Sequence, residues 1–235
     1  NPEDFAVYAN SPFDREKRLI LVAKDVSSRY TRRNKAEFGK VAGYIMMLAQ
    51  SHVGNYMVFF PSYRLMEDVL QVYEEEFSVD WVRCVCQTPD MTEQEREGFL
   101  EEFQEREGTL VGFCVLGGIF SEGVDLTGES LIGAVIVGTG LPQIGSQREI
   151  LKEYYDKKNH CGFDYAYRYP GMNKVLQAAG RVIRTKEDKG VILLLDDRFW
   201  DRDYQEIFPR EWQDRTGCRL DTVEGAVETF WKRFT

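Results

Sequence analysis

Tyr56-Met57-Val58-Phe59-Phe60 runs directly into Pro61-Ser62-Tyr63-Arg64. Five consecutive apolar or aromatic residues leave no polar face for water, so they read as a strand covered on both sides, and the Pro-Ser step ends it. Ser62 is placed to cap a helix whose apolar positions, Leu65, Val69, Val72 and Tyr73, recur at three- and four-residue spacing. A doubly covered strand followed by an amphipathic helix is the unit of a parallel α/β sheet.

The same unit recurs in both directions along the chain. Upstream lie Leu19-Ile20-Leu21-Val22 and then a helical stripe of Phe38, Val41, Ala42, Ile45, Met46 and Ala49. Downstream, apolar runs over 82–86, 110–116, 134–137 and 191–195 read as strands. Thr92-Glu93-Gln94-Glu95 is a capping-box signature, and the charged helix it opens keeps only Phe99, Leu100 and Phe103 as apolar positions, so it should lie mostly in solvent. From 138 to 170 there is no strand signal, only a helical pattern around 149–157. The expected fold is a single doubly wound α/β domain, a mostly parallel sheet with helices on both faces. In that class functional loops follow the carboxyl ends of strands.

Composition sets further bounds. With 43% hydrophobic and 29% charged residues in 235, the chain has the makeup of a globular domain, and no apolar run is long enough to span a membrane. It begins Asn1-Pro2-Glu3-Asp4, with neither Met nor a secretory pattern, which is the expectation for a piece of a longer chain. Cys84, Cys86, Cys114, Cys161 and Cys218 are odd in number and lack C-x-x-C spacing, which fits reduced thiols in a cytoplasmic protein. His52 and His160 stand apart from any ligand-spaced cluster, so no metal site is expected. The net charge of −9 opposes broad nucleic-acid binding, although Arg29, Arg32, Arg33 and Lys35, and Lys152, Lys157 and Lys158, form local basic clusters.

Three segments carry chemistry. Gln177-Ala178-Ala179-Gly180-Arg181-Val182-Ile183-Arg184 follows a helix start at Pro170-Gly171. Continued as a helix, it places Arg181 roughly 40° and Arg184 roughly −20° from Gln177, opposite an apolar arc, with Gly180 beside them. Two guanidiniums on one face suit phosphate oxygens and a transferring phosphoryl group. Gly117-Gly118-Ile119-Phe120-Ser121-Glu122-Gly123-Val124-Asp125-Leu126 directly follows a strand, its glycines permitting close backbone approach to a ligand and its acids able to accept hydrogen bonds. At Ser62-Tyr63-Arg64 the helix start offers free N–H groups to a phosphate, Tyr63 a stacking ring and Arg64 a charge. Each segment also has a plain alternative: a solvated basic face, a glycine-rich turn, and a simple cap with a locally packed ring.

In this order, and after these strands, the segments resemble the second, C-terminal RecA-like motor domain of superfamily 2 DNA helicases of the XPD/DinG type. Phe60-Pro61-Ser62-Tyr63 resembles motif IV, Ser121-Glu122-Gly123-Val124-Asp125 motif V, and Gln177 through Arg184 motif VI. Asp197-Arg198-Phe199 resembles the segment closing the post-motif strand. Ser11-Pro12-Phe13 resembles the lead-in, with residues 1–18 arriving from a first motor domain. The resemblance implies that Arg181 and Arg184 are arginine fingers toward the γ-phosphate, that Gln177, Gly180, Glu122, Gly123 and Asp125 serve the nucleotide, and that Ser62, Tyr63, Arg64, Ser121, Gln147 and Arg148 serve a single DNA strand translocated 5′ to 3′. Such families act in DNA repair.

No G-x-x-x-x-G-K-[ST] loop occurs; Gly138-Thr139-Gly140 with Gly145 lacks the lysine, and Gly39-Lys40-Val41 lacks the rest. No Asp-Glu-Ala-His box is present either. ATP and Mg would therefore be held mainly by the first RecA-like domain, and this piece alone is expected to be inactive; the resemblance implies that an iron–sulfur cluster, where the family has one, belongs to that first domain too. The competing readings are a non-catalytic docking module on the same scaffold and an unrelated nucleotide-binding α/β enzyme.

Overall fold

The computed structural model describes residues 12–105, 107–121, 126 and 128–234. Seven strands form one sheet in the order β3-β4-β2-β5-β6-β1-β7. They are β1 (Arg18–Ala23), β2 (Asn55–Phe60), β3 (Val82–Cys86), β4 (Thr109–Val115), β5 (Gly133–Val137), β6 (Gly190–Leu195) and β7 (Thr216–Cys218). Every pairing is parallel. The six expected strands are all present, and β2, β5 and β6 are buried along their whole length, as continuous apolar runs require.

Alternate side chains feed two cores. Tyr56, Val58 and Phe60 of β2 join Val135, Leu193 and Leu21 under α1 (Lys35–Ser51), α2 (Tyr63–Glu76) and α7 (Val223–Trp231). Met57 and Phe59 join Ile136, Leu194 and Val22 on the other face, under α3 (Glu93–Glu102), α5 (Tyr169–Ala179) and the Phe199, Phe208 and Trp212 rings. This two-residue alternation makes the layers α/β/α. The Thr92 capping box forms, and α3 buries only Phe99.

β7, the π-helical turn before α5 and the helix α7 lie outside the sequence expectation, whereas the helical pattern around 149–157 forms as α4 (Ser146–Asn159). β7 is a three-residue strand beside β1. Between β5 and α5 stands α4, then a π-helical turn over Asp164–Arg168 that runs straight into α5. His52 follows α1 and stacks on Trp231 at 4.2 Å, and His160 ends α4 in the left-handed region. Among the described residues no helix is long and apolar enough to cross a membrane, and no three His, Cys, Asp or Glu side chains gather as a metal site.

The start of α5 is fixed by backbone contact. Gly140 has φ +66, and a Cβ there would lie 2.7 Å from the Gly171 carbonyl oxygen; a Cβ on Gly171 would lie 2.6 Å from that of Thr139. Only glycine allows the β5 loop and α5 to meet so closely. Gly171→Ala should destabilise the domain by about 1–3 kcal/mol, lowering the urea midpoint without changing the slope of the transition.

Candidate functional site

A parallel sheet brings all its carboxyl ends to one edge, and crevices open there wherever neighbouring strands send their following segments to opposite faces. This sheet has two such regions, one at β1/β6 and one around β2. After β1 the chain leads to α1 on one face, while after β6 it leads to Phe199 and Trp212 on the other. After β2 it leads to α2, while after both of its neighbours, β4 and β5, it leads to Phe120 and to α5 on the other face, so this divergence spans both sides of β2.

The β1/β6 crevice is filled by its own polar groups. Asp196, wholly buried, accepts hydrogen bonds from the Ser28 N–H (2.9 Å) and hydroxyl (2.6 Å), and from the Arg198 N–H (3.0 Å), Nε (2.7 Å) and Nη2 (2.9 Å). Burial pushes the Asp196 carboxyl up, but the guanidinium and the Ser28 donors outweigh it and hold it below the usual range. Ser27 Oγ donates to Asp197, and the Ser27 N–H donates to buried Glu37 at 2.6 Å. Arg29 and Arg32, from the first basic cluster, both reach Asp197. Of the rest of that cluster, Arg33 donates to the Ser28 carbonyl and Lys35 pairs with Glu75 and Glu76, so its charges are engaged within the domain.

The β2/β5 crevice stays open. It is a cleft of about 360 Å³ whose lining includes Pro61, Leu116, Gly140, Gln143, Arg148 and Lys174. Lys174 lies across Gly117, whose φ is +70 and whose absent Cβ would sit 2.9 Å from the lysine Cε. Arg148 is anchored by donating from Nη1 to the Ala166 carbonyl at 2.9 Å. Ser62 caps α2 by accepting from the Leu65 N–H at 3.3 Å, and Arg64 is exposed one residue past Tyr63. The Tyr63 hydroxyl accepts from Gln87 Nε2 at 2.9 Å, and Gln87 in turn accepts from the Val115 N–H. Burial raises the Tyr63 hydroxyl above its ordinary value. Gln147 is exposed in the first turn of α4.

The arginine segment departs from the expected helix. α5 stops at Ala179, with Gly180 as its cap. Arg181 and Val182 follow in a tightened turn whose N–H groups reach only three residues back. Arg181 and Arg184 therefore do not continue the face that carries Gln177. Gly180, Val182, Ile183 and Thr185 are weak helix formers, and Val182 turns inward instead, packed so closely on Gly190 that a Cβ there would lie 2.2 Å from it. The guanidinium of Arg181 reaches the Ser121 carbonyl through Nε (3.1 Å) and Nη2 (2.7 Å), joining two of the sequence segments directly. Ser121 itself is fully buried, its hydroxyl donating to the Gly118 carbonyl. Gln177, Gly180 and Arg184 are exposed nearby. Glu122, Gly123 and Asp125 lie outside the described residues, as does Ser11.

Asp188 locks this turn. It is buried and accepts from the N–H groups of Arg184 and Thr185 (both 2.7 Å), the Thr185 hydroxyl (2.8 Å) and the Gly128 N–H (3.2 Å). Burial alone would raise its carboxyl, but these donors hold it below the ordinary value. Neither Asp188 nor Asp196 stands out among the 39 acidic residues, although Thr185-x-x-Asp188 has capping-box spacing, the one local signal that points to it. Lys174 carried no such signal.

The site can be set against known proteins. Residues 45–215 match the family model for the helicase C-terminal domain. A protein described as a probable ATP-dependent helicase, from Methanocaldococcus jannaschii, is 28% identical over 202 residues, which cover 81% of this chain and 30% of that protein. A regulator of telomere elongation helicase 1 homolog from Drosophila sechellia is 28% identical over 190 residues, covering 74% of this chain and 19% of its own length. The chain thus spans less than a third of these relatives. Among solved structures, an XPD helicase aligns with a TM-score of 0.69 at 22% identity, over 86% of this chain and 35% of that one, a likeness of fold.

Folded carboxyls held below their unfolded values add stability that is present above about pH 4 and is lost as pH falls through the folded values. Asp188→Asn should therefore lower the melting temperature at neutral pH, by the equivalent of about 1–3 kcal/mol, and flatten the acid side of a melting-temperature profile taken from pH 7 to 3.

Proposed function

The chain belongs to the helicase C-terminal domain family, and from that premise we propose that it is the second motor domain of an ATP-dependent DNA helicase. In this reading it moves 5′ to 3′ along single-stranded DNA and supplies Arg181 and Arg184 to an ATP held across a cleft by a first RecA-like domain. The observation that carries the proposal is the direct bond of the Arg181 guanidinium to the Ser121 carbonyl, which ties the arginine turn to the glycine-rich loop that leaves the carboxyl end of β4.

Chemically, a phosphoryl group in transfer gathers negative charge on its equatorial oxygens, and a permanently charged planar guanidinium is suited to offset it. Arg184 is exposed on a turn whose backbone is fixed by Asp188, so the point from which its side chain extends is set before any nucleotide arrives. Arg181 is tied to the carbonyl of Ser121, whose next residues, Glu122, Gly123 and Asp125, we assign to sensing the nucleotide together with Gln177 and Gly180. A shift of the arginine turn on ATP binding would thereby be felt by the loop beside the open cleft. Mg and the phosphate cradle belong to the first domain in this reading.

The strand is assigned to the open cleft. Its cations, Arg148 and Lys174, line the cleft together with Pro61, which leads into the N-terminus of α2, where the first-turn N–H groups beside Ser62 suit a phosphate; Tyr63, Arg64, Ser121 and Gln147 are assigned to the same strand from the sequence. A short cationic groove inside an otherwise acidic chain localises the strand without making the whole surface sticky to nucleic acid.

Arg184→Ala and Arg181→Ala, each in the full-length protein, should cut single-stranded-DNA-stimulated ATP turnover on the order of 100- to 1000-fold while leaving nucleotide binding nearly intact. Turnover close to the unsubstituted protein in a phosphate-release assay would sink the finger assignment.

A further inference from the structure

The segment between β5 and α5 displays aromatic rings outward. α4 buries none of its residues, and Tyr154 is 55% exposed, Tyr165 39% and Tyr169 37%. The rings are ordered among themselves. Tyr155 and Tyr165 stack face to face at 4.0 Å and 7°, Tyr154 meets Tyr155 edge-on at 5.1 Å, and Tyr169 meets Tyr165 edge-on at 5.3 Å. The π turn over Asp164–Arg168 makes this possible, sending Ala166 and Tyr167 inward and Tyr165 out onto Tyr155. Single π turns in natural helices gather at functional sites.

Cations line the same ladder. Lys158 Nζ lies 5.6 Å from the centre of the Tyr154 ring and 5.9 Å from that of Tyr155. Lys157 beside it has no acidic partner among the described residues, whereas Lys152 is paired with Asp156. Ile150, one turn before Tyr154 on the same helix face, adds an exposed apolar side chain. The ladder is also continuous with the open cleft: Arg148 lines the cleft, ties α4 to the π turn, and stands about 9 Å along the helix from Tyr154.

We propose that this tyrosine ladder is a stacking platform for the unpaired bases of a single-stranded nucleic acid as it leaves or enters the cleft, with Lys157 and Lys158 taking adjacent phosphates. The inference rests on the strand-tracking reading above and extends that track along α4. Flat rings take any base, because every base has a π face, and lysines at the rim neutralise the backbone without reading sequence. A sequence-indifferent grip is what continuous movement along a strand needs. α4 sets the cations Arg148, Lys152, Lys157 and Lys158 against the acids Glu149, Glu153 and Asp156, so this helix is locally positive within a chain of net charge −9, the sign a polyanion needs.

The test uses the full-length protein and a fluorescently labelled oligothymidylate read by anisotropy. Tyr154→Ala should weaken binding about 5- to 100-fold, while Tyr154→Phe, which keeps the ring, stays close to the unsubstituted protein. The Lys157→Ala, Lys158→Ala double variant should reduce the slope of log affinity against log salt by about 1.4. Unchanged affinity in Tyr154→Ala, with loss in Arg148→Ala, Lys174→Ala, would overturn the ladder and leave the cleft assignment standing. If Tyr154→Ala lowers the thermal stability of the full-length protein but not its strand affinity, the ladder only packs the domain and the proposal is wrong. Failure of the unsubstituted protein to hold the oligonucleotide would remove the strand-tracking reading and the ladder together.

Discussion

Parallel strands impose one constraint that the rest of this molecule follows. Each strand must return to the starting edge before the next begins, so every return needs a covering helix or loop, and every departure occurs at the same edge. Hydrophobic burial on both faces of β2, β5 and β6 makes that arrangement stable, and it also concentrates Pro61, Gln87, Gly117, Gly138 and Asp196 within one rim. Val22 and Leu194, 172 positions apart in sequence, become paired neighbours.

The two crevices of that rim show how differently equivalent topology can be used. At β1/β6 a buried carboxylate is satisfied by five donors, which closes the gap and makes it rigid. Breaking such a cluster by removing one partner costs several kcal/mol, because the other charge stays buried. At β2/β5 glycines replace side chains and two cations stand at the wall, leaving room for a ligand. The closed crevice holds the sheet edge still while the open one is free to work.

Much of the fold was legible because its signals are local. Continuous apolar runs marked six strands, Ser62 and Thr92 marked two helix starts, and their side-chain caps form as the spacing requires. β7 escaped because Thr216-Gly217-Cys218 is short and has no apolar run; it is a strand only because β1 is beside it. The site was legible in part. Its three segments could be found, but the reach of Arg181 to Ser121 and the end of α5 at Ala179 depend on contacts sixty residues apart and on where Val182 must pack. Asp188 and Asp196 have ordinary neighbours in sequence, and only the fold supplies their donors. The π turn likewise follows from tertiary packing, since Asp164-Tyr165-Ala166-Tyr167-Arg168 would suit an ordinary helix.

The glycine contact at the start of α5 has a mechanical side. That helix, about 16 Å long, is pinned at its head by the abutting backbones of Gly140 and Gly171 and at its tail by Val182 beneath Gly190. Lys174 sits midway along it, and Gln177 and the arginine turn at its far end. A rod held this tightly at both ends has no slack with which to absorb a displacement. Any push delivered to one end arrives at the other nearly undiminished, and the two glycines, which contribute no side chain at all, are what make it a strut rather than a spring.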